Sequence, residues 1–301
     1  MVTAVDRGRY TVDLSDRRVV AMRARELARG RVVVGDQVAM VGDRSGEPDA
    51  LARIVRIEQR RTVLRRSADD SDRVERIIVA NADQLVVVTA LADPPPRPRM
   101  IDRCLVAAYD AGMSALLALT KADLHDPAEL VGQYAALDLP HVVLSLGPDG
   151  TNGDTEGLDH LRALLDSRLS VLVGHSGVGK STLVNALVPA AERTTGVVND
   201  VTGRGRHTST SAVALPLTGG GWVVDTPGVR SFGLGHIDPA SFVSHFPDLA
   251  PGALDCPRGC SHDESDCALD RWVADGRAGP TGPARLESLR RLLRSRTADQ
   301  P

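Results

Sequence analysis

The sequence predicts an α/β fold: a doubly wound parallel sheet with a nucleotide phosphate site, preceded by a small all-β barrel and followed by a small metal-binding helical module. Three observations carry this. From about residue 75 to 235, apolar strand-like runs alternate with helical patterns. Inside that stretch, Gly174-His175-Ser176-Gly177-Val178-Gly179-Lys180-Ser181 fills every fixed position of a phosphate loop. On either side, residues 1–66 break into short strands, and three cysteines and a histidine crowd between 256 and 267.

Residues 1–66 form the first expected domain. Candidate strands are 9–14, 19–23, 37–41 and 52–57, with turn signals at Gly35-Asp36 and Asp43-Arg44-Ser45-Gly46. Short strands at this density suit a closed barrel of the oligonucleotide-binding kind. The segment holds 15 Arg against 9 Asp and Glu, a net of +6, while residues 67–301 carry −9. A basic module on an acidic core suggests a face for a polyanion; the plainer alternative is a solvated basic surface. Arginines at 17, 18, 23, 25, 29 and 31 cluster in the middle of the module, and those at 60, 61, 65 and 66 line its exit. Tyr10 is its single aromatic, so contacts to RNA would fall on phosphate and duplex shape more than on stacked bases.

Residues 67–235 form the second domain. Leu85–Val88 reads as a strand, Asp93–Pro98 as a stiff proline-rich connector, and 99–113 as an amphipathic helix with Cys104 as a buried thiol. The apolar run 115–119 ends on Thr120-Lys121-Ala122-Asp123. Guanine presents its N1–H and exocyclic amine side by side, and a carboxylate such as Asp123 accepts from both, which selects GTP over ATP. Lys121 would lie along the base and brace the phosphate loop. Ser145, at the end of the next apolar run, is placed to contact guanine through its backbone, although Leu146 follows it where an alanine is usual.

The phosphate loop comes only after these elements. Leu169–Val173 reads as its buried strand, and Thr182–Leu187 as the start of its helix. Glycines let successive N–H groups turn toward phosphate oxygens, Lys180 brings charge to the terminal phosphates, and Ser181 can coordinate magnesium. Asp225-Thr226-Pro227-Gly228 follows the apolar run 222–224. Asp225 there can reach the magnesium shell, and the Gly228 N–H the terminal phosphate. The polar stretch 194–211 occupies the place of a first switch. An ordinary GTPase begins with the phosphate loop and ends with the guanine box; here the guanine box comes first. A doubly wound sheet tolerates such a circular permutation because packing depends on spatial order, and the helical pattern 158–165 is a plausible joint. The chain therefore leaves the GTPase core soon after the second switch, tying whatever follows to the part that moves on hydrolysis.

Residues 236–301 form the third domain. Cys256, Cys260, His262 and Cys267 make a donor set for a closed tetrahedral zinc site of the structural kind. Beyond it, Leu286, Leu289, Leu292 and Leu293 mark an amphipathic helix studded with Arg285, Arg290, Arg291, Arg294 and Arg296. These arginines read either as a solvated basic face or as a second contact for an anion.

At 301 residues with 42 % hydrophobic content, the chain can bury a full core. No apolar stretch is long enough for a membrane span, the N-terminus lacks a secretory core, and four cysteines with three beside a histidine suit a reducing compartment. A cytoplasmic protein without a membrane partner is expected, acting as a monomer.

Taken in order, the basic strand-rich module, T-K-x-D, G-x-S-G-V-G-K-S, G-R-H-T, D-T-P-G and the Cys/Cys/His/Cys cluster resemble the circularly permuted ribosome small-subunit-dependent GTPases. The resemblance covers nearly the whole chain. It implies an oligonucleotide-binding barrel, a permuted GTPase core and a zinc domain. It also implies action late in assembly of the small (30S) subunit, with 16S rRNA as a partner and weak GTP hydrolysis that the subunit stimulates. Bound species would be GTP or GDP, magnesium and one structural zinc. Implied nucleotide contacts are Thr120, Lys121, Ala122, Asp123, Ser145, residues 174–182 through Thr182, Asp225 and Gly228. Implied magnesium contacts are Ser181, Asp225 and either Thr208 or Thr210. Val229 stands where many GTPases place a water-orienting glutamine, and His207 in Gly205-Arg206-His207-Thr208 is implied to replace it as the catalytic residue. The cysteine and histidine spacings are one residue shorter than the family form, and Thr120 stands where asparagine is commoner.

Overall fold

The computed structural model describes residues 1–27, 31–66, 76–147, 155–188, 212–226, 232, 234 and 237–297, except the side chains of 296 and 297. The expected first switch, including His207, Thr208 and Thr210, lies outside the described residues, as do Pro227, Gly228 and Val229.

Five strands build the N-terminal barrel: β1 (Val2–Asp6), β2 (Arg9–Asp13), β3 (Arg18–Arg23), β4 (Val38–Gly42) and β5 (Ala52–Ile57). Their order is β1-β2-β3-β5-β4, antiparallel except for the parallel β3–β5 pair, as in the oligonucleotide-binding barrel. The chain entering β4 returns to β1 through Gly35 N–H to Val2 O (2.8 Å) and Val2 N–H to Asp36 O (2.9 Å). Alternation sends Val19 and Ala21 inward while Arg18, Val20 and Met22 face out. Val2, Tyr10, Val12, Val32, Ala52 and Ile54 complete the barrel core.

β6 (Val63–Arg66) pairs antiparallel with β7 (Arg76–Ala80), so a two-stranded ribbon spans the boundary expected at residue 66. The barrel is fastened there by a buried ion pair. Asp36 accepts from Arg60 Nε at 2.7 Å, Arg60 Nη2 at 2.8 Å and the Val33 N–H at 2.8 Å. Arg61 donates to Asp83 at 3.0 Å. Two of the four exit arginines thus bind aspartates, Arg60 within the barrel and Arg61 across the junction. Gly35 has φ +88°, and a Cβ there would lie 1.8 Å from Ala80 O. Gly112 also has positive φ (+70°) but nothing within 4 Å. Gly35→Ala is therefore expected to lower stability by roughly 3 kcal/mol or more, and Gly112→Ala by only about 1 kcal/mol. Denaturation midpoints of the two variants measure the difference.

The core runs β8 (Gln84–Ala90), α1 (Pro98–Asp110), β9 (Ser114–Thr120), α2 (Ala128–Tyr134), β10 (His141–Val143), α3 (Thr155–Leu165), β11 (Leu169–Val173), α4 (Lys180–Leu187), β12 (Val213–Pro216) and β13 (Trp222–Asp225). Its strands order as β10-β9-β8-β11-β13-β12, all parallel except β12, and Ala4 of β1 bridges to Val213 of β12, joining the barrel to the sheet. β8 and β11 are buried along their whole length, as central parallel strands require. β11, which feeds the phosphate loop, lies between β8 and β13. Strands that come both earlier and later in the chain thus flank the loop, which is the permuted arrangement. α3 supplies the joint: Leu158, Leu161 and Leu165 are buried, and a short turn leads directly into β11.

The C-terminal region contains α5 (Pro239–Phe242), α6 (Ala268–Ala274) and α7 (Gly282–Thr297). Leu286, Leu289, Leu292 and Leu293 are buried as the pattern predicts, and α7 packs across α1. Four of its five arginines, all but Arg296, whose side chain lies outside the described residues, correct the expectation of a free basic face or an anion contact. Arg285 binds Asp248 (2.6 Å), Arg290 binds Asp270 (2.7 Å), Arg291 binds Asp102 (3.2 Å) and Arg294 binds Asp263 (2.8 Å). They serve as internal clamps, holding α7 to the core and to the cysteine loop. Cys104 is buried on α1, and that burial pushes its thiol up to about 12, so it stays protonated and inert.

Candidate guanine-nucleotide site and metal cluster

The phosphate loop joins β11 to α4. Gly174 is packed so that a Cβ would meet Val88 O at 2.6 Å, while Gly177 and Gly179 have φ of +85° and +86°. Only glycine fits these positions comfortably, and the turn aims backbone N–H groups at the start of α4, where an anion is favoured. The Lys180 ammonium sits on Asp225 Oδ1, so the cation expected at the terminal phosphates and the carboxylate expected on the magnesium side converge beside β11 and β13. Thr226 anchors that strand end through its hydroxyl to Leu172 O at 2.8 Å. Ser181 is exposed at the mouth, and Thr182 is half-buried behind it. Ser176 is exposed, Val178 is buried, and His175 is buried with Nδ1 3.0 Å from Ser176 O.

The guanine box ends β9, and it meets the phosphate loop directly. Thr120 Oγ1 donates to Val178 O at 2.6 Å, linking two motifs 58 residues apart. Thr120, more than Lys121, is therefore the brace on the loop. The Lys121 ammonium instead binds Asp93 O in the proline-rich connector, and Pro94 of that connector lies against Gly177. The sequence marks 93–98 as a stiff connector; its place against the phosphate loop depends on tertiary packing. Ser145 Oγ donates to Asp123 Oδ1 at 3.1 Å, and the Ala122 N–H donates to Leu144 O at 3.1 Å. The Ser145 hydroxyl thus orients the exposed Asp123 carboxylate, a side-chain role beside the backbone contact to guanine that the sequence suggests. The set fits a guanine nucleotide: a glycine cradle, a cation, a magnesium-side carboxylate and a free carboxylate edge for the base.

Asp123→Asn gives a test of base choice. An amide faces the guanine amine with its own N–H₂ but pairs with the O2 of xanthine. GTP affinity is expected to fall roughly 100-fold, in line with about 3 kcal/mol for mispaired polar groups, while xanthosine triphosphate gains. Competition binding with the two triphosphates reads this directly, and equal losses for both would contradict it.

The C-terminal cluster is equally compact. One donor atom from each of Cys256, Cys260, His262 and Cys267 lies within 4.8 Å of all the others. Cys256 Sγ is 3.8 Å from Cys267 Sγ and 3.6 Å from His262 Nδ1. Ligand bonds of about 2.3 Å to sulfur and about 2.0–2.1 Å to nitrogen at tetrahedral angles require such separations. The His262 backbone N–H donates to Cys260 Sγ at 3.3 Å, a contact that stabilises a thiolate. Arg290 Nε donates to His262 O at 2.8 Å, locking the loop to α7. The donor chemistry fits one closed structural zinc. The shortened spacings leave all four ligands convergent.

The fold and site define a circularly permuted P-loop GTPase core between a β-barrel and a metal-cluster module. A family model described as RsgA GTPase matches residues 57–235, and the chain belongs to that family. Curated relatives carry the name small ribosomal subunit biogenesis GTPase RsgA. That of Gemmatimonas aurantiaca is 39 % identical over 269 residues, covering 87 % of this chain and 83 % of that protein. That of Chlorobaculum parvum is 36 % identical over 310 residues, covering 98 % and 97 %. Among solved structures, YjeQ from Thermotoga maritima aligns with a TM-score of 0.69 at 24 % identity, over 100 % of this chain and 98 % of that one. YloQ, described as a circularly permuted GTPase, aligns at 0.66 and 23 %, over 100 % and 95 %. These two likenesses support the fold. Among the described residues, no helix is long and apolar enough to cross a membrane.

Proposed function

We propose that this chain hydrolyses GTP during late maturation of the small ribosomal subunit, binds the subunit through its 16S rRNA, and turns over faster when bound. The observation that carries the reading is the Thr120–Val178 hydrogen bond, which puts a guanine box and a phosphate loop in one site despite their reversed order. The names of the relatives support the subunit as partner, and the net +6 of residues 1–66 supports contact with its RNA. A single structural zinc, a cytoplasmic setting and a monomeric state belong to the same reading.

In this reading Asp123 and Ser145 hold the base, Lys121 lies along it, and residues 174–182 wrap the phosphates. Magnesium, when bound, neutralises charge developing on the β- and γ-oxygens. Ser181, Asp225 and either Thr208 or Thr210 would hold it, and the Gly228 N–H would meet the terminal phosphate. Val229 has no polar atom to orient water, so His207 takes the proton-accepting or water-orienting role. His207→Ala is expected to keep nucleotide affinity and co-sedimentation with small subunits in a non-hydrolysable GTP analogue. It should lose roughly 100-fold or more of subunit-stimulated single-turnover hydrolysis. Full stimulation in the variant would remove His207 from catalysis.

A further inference from the structure

One buried arginine ties the exit of the nucleotide site to the helix that clamps the metal loop. Arg103, on α1, is 8 % exposed. Its Nη2 donates to Phe232 O at 2.6 Å, and its Nη1 donates to Ser295 O at 2.9 Å. Phe232 is buried and stands seven residues after Asp225, the last residue of β13. Ser295 is buried in the last turn of α7, where helix carbonyls have no intrahelical donor. A lone helix cap would need only the second bond. The first bond goes to a different segment, the one by which the chain leaves the second switch motif.

The surroundings make this guanidinium a shared node. At its inner end, the switch strand is fixed by Thr226 Oγ1 to Leu172 O at 2.8 Å. Farther along the chain, the buried Phe232 sets its carbonyl on Arg103. From Ser295 the connection continues along α7 to Arg294, bound to Asp263, and Arg290, bound to His262 O, both in the cysteine loop. Next to Arg103, the buried Asp102 takes Arg291 of the same helix. The Phe232 carbonyl and the C-terminal turn of α7 therefore share one hydrogen-bonding guanidinium. Planar guanidinium donors hold both carbonyls in fixed directions, which a single-point cation does not.

We propose that Arg103 is a positioning residue that couples the second switch to the C-terminal metal module, so that nucleotide state and module conformation bias one another. The proposal rests on the GTPase reading above. By linkage, the bias runs both ways. Among the described residues, Arg103 touches no expected nucleotide contact; it acts through the backbone of Phe232.

The test compares wild type, Arg103→Met and Arg103→Lys as full-length zinc-loaded chains. Hydrogen exchange along 282–295 is measured with GDP and with a non-hydrolysable GTP analogue, with no subunits present. Wild type is expected to show different protection in the two states; Arg103→Met should lose the difference while retaining zinc and nucleotide affinity within about twofold. Arg103→Lys should restore part of it, and also serves if the methionine variant does not fold. With subunits added, Arg103→Met should lose about tenfold in stimulation at unchanged basal turnover. A nucleotide-dependent difference that persists in both variants would overturn the proposal, as would a parallel fall of basal and stimulated rates. If wild type itself is not stimulated by subunits, the proposed function fails, while the exchange measurement still decides the coupling.

Discussion

Lys180→Ala is expected to weaken GTP and GDP binding by at least about 100-fold. Charged hydrogen bonds to phosphate are worth about 1.5–3 kcal/mol each, and Lys180 is the loop's cation, next to Asp225, the carboxylate proposed to hold magnesium. The side chain is largely buried, at 15 % exposure, so the aliphatic stem also fills space. Lys180→Met separates the two contributions by keeping the stem and deleting the charge. Equilibrium titration with a fluorescent guanine nucleotide should find both variants weak. Near-normal binding by Lys180→Met would mean that packing, and not charge, is the contribution of this residue.

The second large effect concerns the metal. Cys260→Ser, or a strong chelator applied to wild type, is expected to drop zinc from one per chain to none. It should also abolish amide protection through 256–267. Binding of a structural zinc is worth about 10–16 kcal/mol, most of it expressed as folding of the loop that holds it. Three thiolates and an imidazole within 4.8 Å would otherwise repel or reprotonate, and the loop has little apolar core to replace the metal. The sheet should survive, because β8, β9, β11 and β13 pair among themselves and α7 retains Arg291–Asp102 and the Arg103 bond to Ser295. Metal analysis beside hydrogen exchange measures this. Loss of protection throughout β8 and β11 would contradict it, by making the module part of one cooperative unit with the core.

The features legible in the sequence are the ones written in contiguous residues. The phosphate loop is a backbone shape dictated by glycines at 174, 177 and 179, and the metal site is four donors within twelve residues. The circular permutation was legible as well, because motif order is a property of the chain. The strands 115–119, 169–173 and 222–224 announced themselves as unbroken apolar runs, as strands buried on both faces do. The hydrogen bond from Thr120 to Val178 O was not legible, since nothing local tells a threonine hydroxyl which carbonyl 58 residues away it will face.

The same holds for charge. Arg285, Arg290, Arg291 and Arg294 look like a basic face in one dimension, yet each finds an aspartate from another element. Arg60 looked like part of an RNA-facing exit and instead closes on the buried Asp36. β1 was missed because Val2–Asp6 is too short and too close to charged residues to show an alternation of its own; it becomes a strand by pairing with β2. The ribbon of β6 and β7 crosses the expected domain edge because strand pairing is decided between segments, not within them.

The central claim is GTP hydrolysis at this rotated site, gated by the small subunit. Single-turnover hydrolysis with purified chain in excess over GTP, with and without isolated small subunits at fixed salt, tests it most directly. The account predicts slow turnover alone and at least tenfold faster turnover with subunits, with the stimulation lost in Lys180→Ala. Equal rates with and without subunits, at concentrations where the two co-sediment, would contradict it.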